Sequence, residues 1–439
     1  MIITYTSANT RESNLFYYDI MAIRIYLIVP PAPFLSIPNA SPHLGVLYLA
    51  SFLQANYKNI EINILDLFNG YDSGAFEIDY DYYCFTASTP QYLYAKEIME
   101  DLRTKGATGI FVIGGPHATH CYQEAIDDGF NIVVIGEGEL ALLDIISKKL
   151  CEGVIRGTSI SDISSIPHPA YDKIDLASYN YSFNSKKIAQ IITARGCVYG
   201  CNFCLIPSMH DRFRMRTTED VRREIDILVQ KYGITGLYIV DAVFPSEIER
   251  TIKICQILRE YGLDWVCQTR PEKVNAKLLD IMAEAGCKRI SFGLETATDS
   301  NLHNINKKAT LAQYATVLRA TRTAGIRTRF YMIWGLPWDN RETANAFKQL
   351  TQNPPDEWHL NTFIPFPGTP YWEKPEKYGI EIVDRNYKHY YHLGRNAKGS
   401  IVINNTYCSK EELEVLRDEL FTYILNLIPD KRVLYGMEV

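Results

Sequence analysis

Three cysteines close together in the chain, Cys197, Cys201 and Cys204, are the feature that most restricts how this sequence can fold and act. They follow the apolar run Ile188–Ile192, which predicts a buried strand. Three thiolates at this spacing cannot all pair with one another as disulfides, but a curled loop can bring them to one metal centre. Soft thiolate ligands select zinc, copper or iron–sulfur clusters. A zinc site normally takes a fourth cysteine or histidine at short range, so three cysteines with one open position favour a 4Fe–4S cluster.

The other cysteines are scattered singly along the chain: Cys84, Cys121, Cys151, Cys255, Cys267, Cys287 and Cys408. This distribution indicates neither a disulfide framework nor a second cluster. Free, reduced cysteines are typical of the cytoplasm, and an oxygen-sensitive cluster points to the same location. The alternative for the three clustered cysteines is that they are buried side chains of an ordinary loop.

The length and charge of the chain argue against several classes of protein. Its 439 residues predict two or three domains, and its net charge of -6, with no basic block, argues against nucleic-acid binding. The sequence has no apolar run of about eighteen residues, so we expect no membrane span. Residues 1–22 are mostly polar and interrupted by charges, which predicts a tail and not a signal peptide.

Residues 23–155 alternate between apolar runs typical of strands and stretches with the apolar spacing of helices. The predicted strands are Ile23–Pro30, Glu61–Leu67, Tyr82–Ala87, Gly109–Gly115 and Asn131–Gly136, and the predicted helices are Pro42–Asn56, Ala95–Thr104 and Leu140–Leu150. Such alternation predicts an α/β domain with a doubly wound parallel sheet, a Rossmann-like fold. Ligands of such sheets bind at the carboxyl ends of the strands, where this chain has glycine-rich segments at 114–115 and 136–138. Alternatively, these glycines simply end the strands.

Residues 156–187 lack periodicity and predict a linker, after which residues 188–370 resume the alternation. The predicted strands of this second part are Ile188–Thr193, Gly236–Val240, Trp265–Thr269, Arg289–Gly293, Thr328–Ile333 and His359–Phe363. Six repeats of strand and helix predict a partial TIM barrel, (β/α)6, with its chemistry at the carboxyl ends of the strands. Its first helix is predicted to have Thr218 as N-cap. Residues 371–439 predict an extension that ends in a helix opened by the capping box Ser409–Glu412.

The cysteine spacing, with the aromatic Phe203 directly before the third cysteine, resembles the cluster-binding signature of the radical S-adenosylmethionine (SAM) enzymes. The resemblance implies a 4Fe–4S cluster whose open iron binds SAM through its amino and carboxylate groups. In that family the reduced cluster cleaves SAM to a 5′-deoxyadenosyl radical. The resemblance also implies an external reductant of the flavodoxin or ferredoxin type.

The same resemblance implies roles for five residues in the cysteine loop or at strand ends. Phe203 is expected to face the adenine, Glu295 to bind the ribose, and Gly335 to let SAM approach the backbone. Asp241 lies where the family contacts the SAM amino group, although the family's Gly-Gly-Glu is missing there. Arg270 is expected to pair with the SAM carboxylate or with an acidic substrate. The alternative is that they are ordinary surface carboxylates, a strand-end arginine and a turn glycine.

The first domain resembles the cobalamin-binding domain that precedes the barrel in one branch of these enzymes. The matching segments are Pro42–Ser51, Leu65–Asp66, Gly114–Thr119 and Gly136–Glu139. The resemblance implies that cobalamin contacts Gly114, Gly115, His117, Gly136, Glu137 and Gly138. The Asp-x-His-x-x-Gly motif that supplies a cobalt ligand in other cobalamin proteins is absent, and Phe68–Tyr80 leaves little room for the usual helix. The domain therefore predicts either cobalamin binding or a scaffold of the same fold.

These features predict an enzyme that cleaves SAM at a 4Fe–4S cluster and abstracts hydrogen from an unactivated carbon. With cobalamin bound, the expected outcome is methyl transfer to a small-molecule, lipid or peptide substrate. One alternative keeps the radical step without cobalamin and yields a rearrangement or cyclisation. Another alternative is a non-catalytic cobalamin or iron–sulfur sensor.

Overall fold

A computed structural model of the chain describes residues 22–70, 76–180, 182–183, 186–351, 353–393 and 399–427. The predicted tail, except for residue 22, lies outside the described residues. Within the described ranges, no helix is both long enough and apolar enough to cross a membrane.

The first sheet has six parallel strands. They are β1 (Ile23–Val29), β2 (Ile60–Asp66), β3 (Tyr82–Thr86), β4 (Ile110–Gly114), β5 (Ile132–Ile135) and β6 (Gly153–Arg156). Their order is β2-β1-β3-β4-β5-β6, so the strand order reverses between β1 and β3. The predicted doubly wound fold is confirmed, and such sheets bind ligands at the reversal point. The sequence did not predict β6, because this edge strand alternates between partly buried and exposed residues and has no apolar run.

The helices of the first domain cover both faces of this sheet. They are α1 (Leu44–Asn56), α2 (Thr89–Thr104), α3 (Pro116–His120), α4 (Tyr122–Asp127) and α5 (Glu139–Ser147). Helix α2 begins six residues before the predicted Ala95, because Ser88 and Gln91 form a capping box at its N-terminus. The described residues between β2 and β3 contain no helix, in line with the short connection in the sequence.

The second sheet curls into an open barrel. The strands of this region are β7 (Ser182–Phe183), β8 (Lys186–Ile191), β9 (Ala194–Arg195), β10 (Arg214–Met215), β11 (Gly236–Ile239), β12 (Asp264–Thr269), β13 (Cys287–Glu295), β14 (Arg327–Trp334) and β15 (Glu357–Thr362). The sheet order is β15-β14-β13-β12-β11-β8-β7, and its first six strands are parallel, which confirms the predicted partial barrel. The short antiparallel strand β7 lies inside the segment predicted as a linker. Strands β9 and β10 form a separate antiparallel pair beside the cysteine loop.

Helices follow the barrel strands as expected from the alternation. They are α6 (Ile206–Met209), α7 (Thr218–Tyr232), α8 (Ile248–Glu260), α9 (Ala276–Glu284), α10 (Asp299–Asn304), α11 (Leu311–Thr323) and α12 (Arg341–Leu350). The predicted N-cap Thr218 is wrong. Thr217 caps α7, because its backbone is extended and its side chain accepts a hydrogen bond from the amide of Asp220.

The C-terminal extension packs on both domains. It contains α13 (Pro370–Glu373), β16 (Ile380–Ile382), β17 (Ile403–Asn405) and α14 (Lys410–Leu427). Ser409 and Glu412 form the predicted capping box of α14. The indole of Trp334 donates to the carbonyl of Leu413 at 2.9 Å, which ties α14 to the end of β14.

One hydrophobic core crosses the boundary between the two sheets. Leu47 and Tyr48 of α1 belong to the same cluster of contacting buried residues as Ile191 of β8 and Val221 of α7. Residues of the predicted linker, such as Tyr171, belong to it as well. The first domain therefore shares buried surface with the barrel and is not held by a linker alone.

Candidate active site between the two sheets

The cysteine loop follows β9, and Cys197, Cys201 and Cys204 are all partly buried and free. The side-chain amide of Asn306 donates to the carbonyl of Gly200 at 2.6 Å, which pins the loop to the barrel. Burial raises the pKa of the Cys204 thiol to about 11, so this thiol stays protonated at neutral pH unless a cation binds it. The donor set of three thiols fits an iron–sulfur cluster, in which each thiolate binds its own iron.

Arg270 lies against this loop, with its Nη1 at 3.6 Å from the sulfur of Cys201. Its Nε donates to Glu272 at 2.6 Å, and its guanidinium carbon lies 3.8 Å from the ring centre of Tyr199. It also donates to the carbonyl of Lys307. In this structure the guanidinium therefore contacts a cluster cysteine and its surroundings, and the pairing with a SAM or substrate carboxylate stays a prediction.

Asp241 follows β11 and lies fully inside the protein. Its Oδ1 accepts hydrogen bonds from the amides of Thr193 at 2.6 Å and Ala194 at 3.0 Å, and its Oδ2 accepts from the Thr193 hydroxyl. Burial raises the pKa of Asp241 to about 6 in spite of these bonds. Both carboxylate oxygens fix the chain just before the cysteine loop. The contact with the SAM amino group stays a prediction.

Glu295 ends β13 at the carboxyl end of the barrel, close to the cysteine loop. Its backbone has φ 72, a left-handed conformation that costs a residue with a side chain about 1–3 kcal/mol and is concentrated at functional sites. The ammonium of Lys307 donates to its Oε1 at 2.6 Å and lies 6.0 Å from the ring centre of Phe203. Lys307 was missed by the sequence analysis, since no motif marks it. The predicted adenine and ribose residues, Phe203 and Glu295, thus share one lysine neighbour.

Gly335 follows β14 in a turn that a side chain would strain, with φ 94. The amides of Gly335 and Leu336 both donate to one carboxylate oxygen of Asp339 at 2.9 Å. Burial raises the pKa of Asp339 to about 7. Asp339 therefore shapes the turn at which the sequence predicts close approach of SAM, and it was not among the predicted site residues.

A cavity of about 410 Å³ lies between the carboxyl ends of the two sheets. Its walls include the predicted residues Gly114, Gly115, Gly136, Glu137 and Gly138, together with Leu49, Val112, Val134, Leu142, Ile192, Arg195 and Gly196. At Gly136, which has φ 85, an added Cβ would meet nothing closer than a carbonyl oxygen at 3.8 Å, so the glycine leaves the cavity open. At Gly115, in contrast, an added Cβ would come within 2.9 Å of Thr86, so that glycine serves strand packing. The mostly apolar wall suits a large, flat organic ligand.

A second cavity of about 630 Å³ lies next to the first, at the reversal point between β1 and β3. Phe34 and Tyr391 stack across its edge with ring centres 5.4 Å apart. Leu205, the residue after Cys204, contributes to its wall, so this cavity reaches the cysteine loop. His43 borders both cavities, and its Nδ1 accepts a hydrogen bond from the amide of Val46 at 3.3 Å. That bond places the proton of the neutral ring on Nε2, which makes His43 a hydrogen-bond donor and not a metal ligand.

Glu137 joins the first domain to the barrel. Its carboxylate accepts from His210 at 2.7 Å and from Arg214 at 3.0 Å. Burial opposes ionisation, but His210, Arg214 and Arg195 together hold the pKa of Glu137 at about 2. Arg195, which lies two residues before Cys197 in the chain, also pairs with Glu139 at 2.7 Å. The carboxylate of Glu137, a predicted cobalamin residue, therefore holds the cysteine loop against the first domain.

His117 lies outside both cavities. It is completely buried, with the ring of Tyr92 stacked on it at 4.0 Å and the ring of Tyr387 against it at 4.8 Å. His117 therefore lines neither cavity in this structure, and its contact with cobalamin stays a prediction.

Comparisons with known proteins agree with this architecture. The radical SAM superfamily profile matches residues 191–350, and the B12-binding domain profile matches residues 33–146. An uncharacterized methyltransferase of Pyrococcus horikoshii is 27% identical over 385 residues, which are 80% of this chain and 83% of the relative. An anaerobic magnesium-protoporphyrin IX monomethyl ester cyclase of Cereibacter sphaeroides is 26% identical over 328 residues, which are 68% of this chain but 53% of the relative.

Among solved structures, the radical SAM methyltransferase TsrM of Kitasatospora setae, with cobalamin and a 4Fe–4S cluster bound, is similar with a TM-score of 0.68. The two chains are 17% identical, and the match covers 94% of this chain and 90% of TsrM. The cobalamin-dependent SAM radical enzyme OxsB matches with a TM-score of 0.65 and 18% identity, over 87% of this chain and 58% of OxsB. With both domain profiles matched in order, this chain is an enzyme of the radical SAM superfamily, in the branch with an N-terminal B12-binding domain.

Proposed function

We propose that this chain is a cobalamin-dependent radical SAM methyltransferase that methylates an unactivated carbon of a small organic substrate. The observation that carries the proposal is the cavity shared by the two domains. Its wall contains the glycine-lined strand ends of the first sheet and also Arg195 and Gly196, which lead directly into Cys197. A ligand held by the first sheet therefore lies beside the loop that is suited to an iron–sulfur cluster.

Each cofactor has a distinct set of residues in this proposal. When bound, the cluster and SAM supply hydrogen abstraction, and cobalamin supplies the methyl group. Residues 23–155 hold cobalamin, and residues 188–370 hold the cluster and SAM. Cys197, Cys201 and Cys204 ligate the cluster, while the positive charge of Arg270 offsets the negative charge of the thiolates.

SAM lies along the carboxyl ends of β13 and β14 in this proposal. Glu295 accepts hydrogen bonds from the ribose, and Lys307 holds the carboxylate in position from the other side. The turn at Gly335, fixed by Asp339, lets SAM approach the backbone closely. These groups are already oriented before SAM binds, so little free energy is lost in ordering them.

The apolar wall of the first cavity would hold part of the corrin ring of cobalamin, and Gly136 would let the ring approach the backbone. His43 would offer an Nε2–H donor to the bound cofactor. Neither His43 nor His117 presents a free lone pair to that cavity, which agrees with the absence of the cobalt-ligand motif from the sequence.

The substrate occupies the second cavity, between the cofactors and the Phe34–Tyr391 pair. That aromatic pair covers the edge of the cavity and excludes water from a radical reaction. Small molecules, lipid fragments and peptide side chains are all of a suitable size. The reductant is a flavodoxin- or ferredoxin-type protein, and a reducing cytoplasmic location suits the cluster and the free cysteines.

Equilibrium dialysis with hydroxocobalamin tests the proposal. Leu49 lines the cavity, so Leu49→Trp fills it and abolishes binding, while wild type binds about one cobalamin per chain. The matched control is Val154→Trp on the exposed edge strand β6, which leaves binding unchanged. If wild type with an intact cluster binds no cobalamin, methyl transfer from cobalamin is rejected.

A non-methylating reaction is the second candidate, because one relative is named as a cyclase. The product of SAM distinguishes the two reactions. Methyl transfer through cobalamin yields S-adenosylhomocysteine in addition to 5′-deoxyadenosine, whereas cyclisation yields 5′-deoxyadenosine alone. Chromatography of a single reaction mixture with reductant and cobalamin separates these outcomes.

A further inference from the structure

A group of metal-ligating side chains lies on the first domain, outside the active-site cavities. His117 on α3, Cys121 between α3 and α4, and Glu124 on α4 each offer one ligand atom, and these atoms all lie within 4.8 Å of one another. The three residues lie on and between the two short helices that connect β4 to β5. Neither the cluster loop nor the cobalamin cavity uses any of the three residues.

The state of His117 is the second observation. Its side chain is completely buried, and neither ring nitrogen has a hydrogen-bond partner. Its Nε2 lies 3.7 Å from the carboxylate of Glu124, beyond hydrogen-bond distance. A buried polar group without a partner is unusual in folded proteins, and an ion or water at the site is a common reason for one.

We propose that His117, Cys121 and Glu124 bind a zinc ion. Imidazole nitrogen, thiolate sulfur and carboxylate oxygen are the three ligand types that zinc takes in proteins. Three protein ligands with one open position are a typical zinc arrangement. The lone pair of a His117 nitrogen, which has no partner in the apo protein, gains one in the metal-bound state.

The present spacing permits this site with a small movement. At zinc bond lengths of about 2.0–2.3 Å, tetrahedral ligand atoms lie about 3.3–3.8 Å apart, so the group must contract by about 1 Å. His117 is held by its aromatic neighbours, but Cys121 and Glu124 are only partly buried. These two side chains can turn towards His117 without repacking the core.

The aromatic surroundings supply the groups that orient the ligands. The hydroxyl of Tyr387 donates to Oε2 of Glu124 at 3.1 Å, and its ring packs edge-on against His117. Residues that hydrogen-bond to metal ligands in this way orient the ligands and raise affinity. Because Tyr387 belongs to the C-terminal extension, zinc would tie this extension to the first domain, four residues before Tyr391 at the edge of the substrate cavity.

Metal analysis of the full-length protein with a reconstituted cluster tests the site. After dialysis against zinc and then against metal-free buffer, we expect about one zinc per chain in addition to the cluster iron. Cys121→Ala and Glu124→Gln each reduce zinc to background and leave iron unchanged. Cys151→Ala, which removes an exposed thiol of the same domain, retains zinc. Tyr387→Phe weakens zinc binding about 10- to 100-fold.

The main source of error in this measurement is zinc that binds to the cluster cysteines of chains without a complete iron–sulfur cluster. The same dialysis with the triple variant Cys197→Ala, Cys201→Ala, Cys204→Ala removes that source, and the zinc is retained. A wild-type protein with full iron but no zinc overturns the inference, as does zinc that survives Cys121→Ala. Because iron and SAM cleavage are measured on the same samples, failure of the zinc site is separate from failure of the proposed methyltransferase function.

Discussion

The two sheets end in surfaces of opposite character. At the barrel, Asp241, Arg270 and Glu295 are polar, and each already has hydrogen-bond partners within the protein. At the first sheet, the strands end in glycines such as Gly114 and Gly136, with apolar side chains around them. A pre-bonded polar surface suits a small charged ligand, because it needs no reorganisation. A glycine-lined apolar surface suits a large ligand that approaches the backbone.

The charged residues at the end of the first sheet are consistent with this difference, because their charges are used at the interface between the first domain and the barrel. Glu137 and Glu139 point their carboxylates at Arg214 and Arg195 of the barrel. Their negative charges are thereby neutralised within the protein. The two surfaces therefore differ in the ligands that they suit. Three substitutions, given in order of decreasing expected effect, test this difference.

The largest expected effect comes from the cysteine loop. Replacing Cys197, Cys201 and Cys204 together by alanine removes the thiolates that the cluster needs, so iron content and 5′-deoxyadenosine formation fall to background. Hydroxocobalamin binding is unchanged, because the first sheet is independent of these side chains. Iron analysis and dialysis on one preparation measure both properties.

The matched control for the cysteine loop is Cys408→Ala, which removes a partly buried thiol of the C-terminal extension and leaves iron content intact. If the triple-alanine protein still assembles a 4Fe–4S cluster, the cluster is bound by other residues. The assignment of the cluster to the barrel surface is then wrong.

A smaller effect is expected for Glu295→Gln. Hydrogen bonds from the ribose hydroxyls to a charged carboxylate contribute about 1.5–3 kcal/mol, so SAM affinity falls about ten- to a hundredfold. Iron content does not change. Calorimetric titration with SAM measures the loss, and Glu284→Gln on the exposed face of α9 is the control. Equal SAM affinity in Glu295→Gln and wild type contradicts the ribose contact.

The smallest effect concerns the buried carboxylate of Asp339. Burial raises its pKa from 3.8 to about 7 in the folded protein. Between these two pKa values the folded state keeps a proton that the unfolded state has lost, so the free energy of unfolding decreases as pH rises from about 3.8 to about 7 and levels off above that. One pKa unit corresponds to about 1.4 kcal/mol, so we expect a loss of about 1.4 kcal/mol between about pH 6 and pH 8, most of it below pH 7.

Urea unfolding at the two pH values measures this loss. Asp339→Asn removes the part of the pH dependence that belongs to this group, whereas Asp280→Asn on an exposed helix position retains it. An Asp339→Asn protein with the same pH dependence as wild type shows that the carboxylate is not protonated in this range.

The sequence was sufficient for the inner strands of both sheets, because apolar β-rich runs separated by helical patterns define parallel sheets locally. Strand β6 was missed because an edge strand has no such run. Helix α2 was predicted too short, because its first turn is set by the Ser88–Gln91 capping box and not by apolar spacing.

The partners of the site residues could not be predicted in the same way. Asp241 bonds to Thr193, which lies 48 residues away, and Glu137 bonds to His210, which lies 73 residues away. Such pairs depend on how loops of different strands meet after folding. Gly114 and Gly115 line the first cavity but His117 does not, because packing against Tyr92 and Tyr387 sets the direction of this side chain on its short helix.

The hydrophobic core that continues from α1 into the barrel restricts how this protein can be recombined. Leu47 and Tyr48 lose their apolar surroundings if the first domain is separated from the barrel. A chimera that exchanges residues 23–155 for the corresponding part of a relative must therefore also exchange the barrel residues that face α1. To transfer the first domain onto another barrel, the exchanged residues must include both sides of this contact surface, and a junction placed only at the linker is not sufficient.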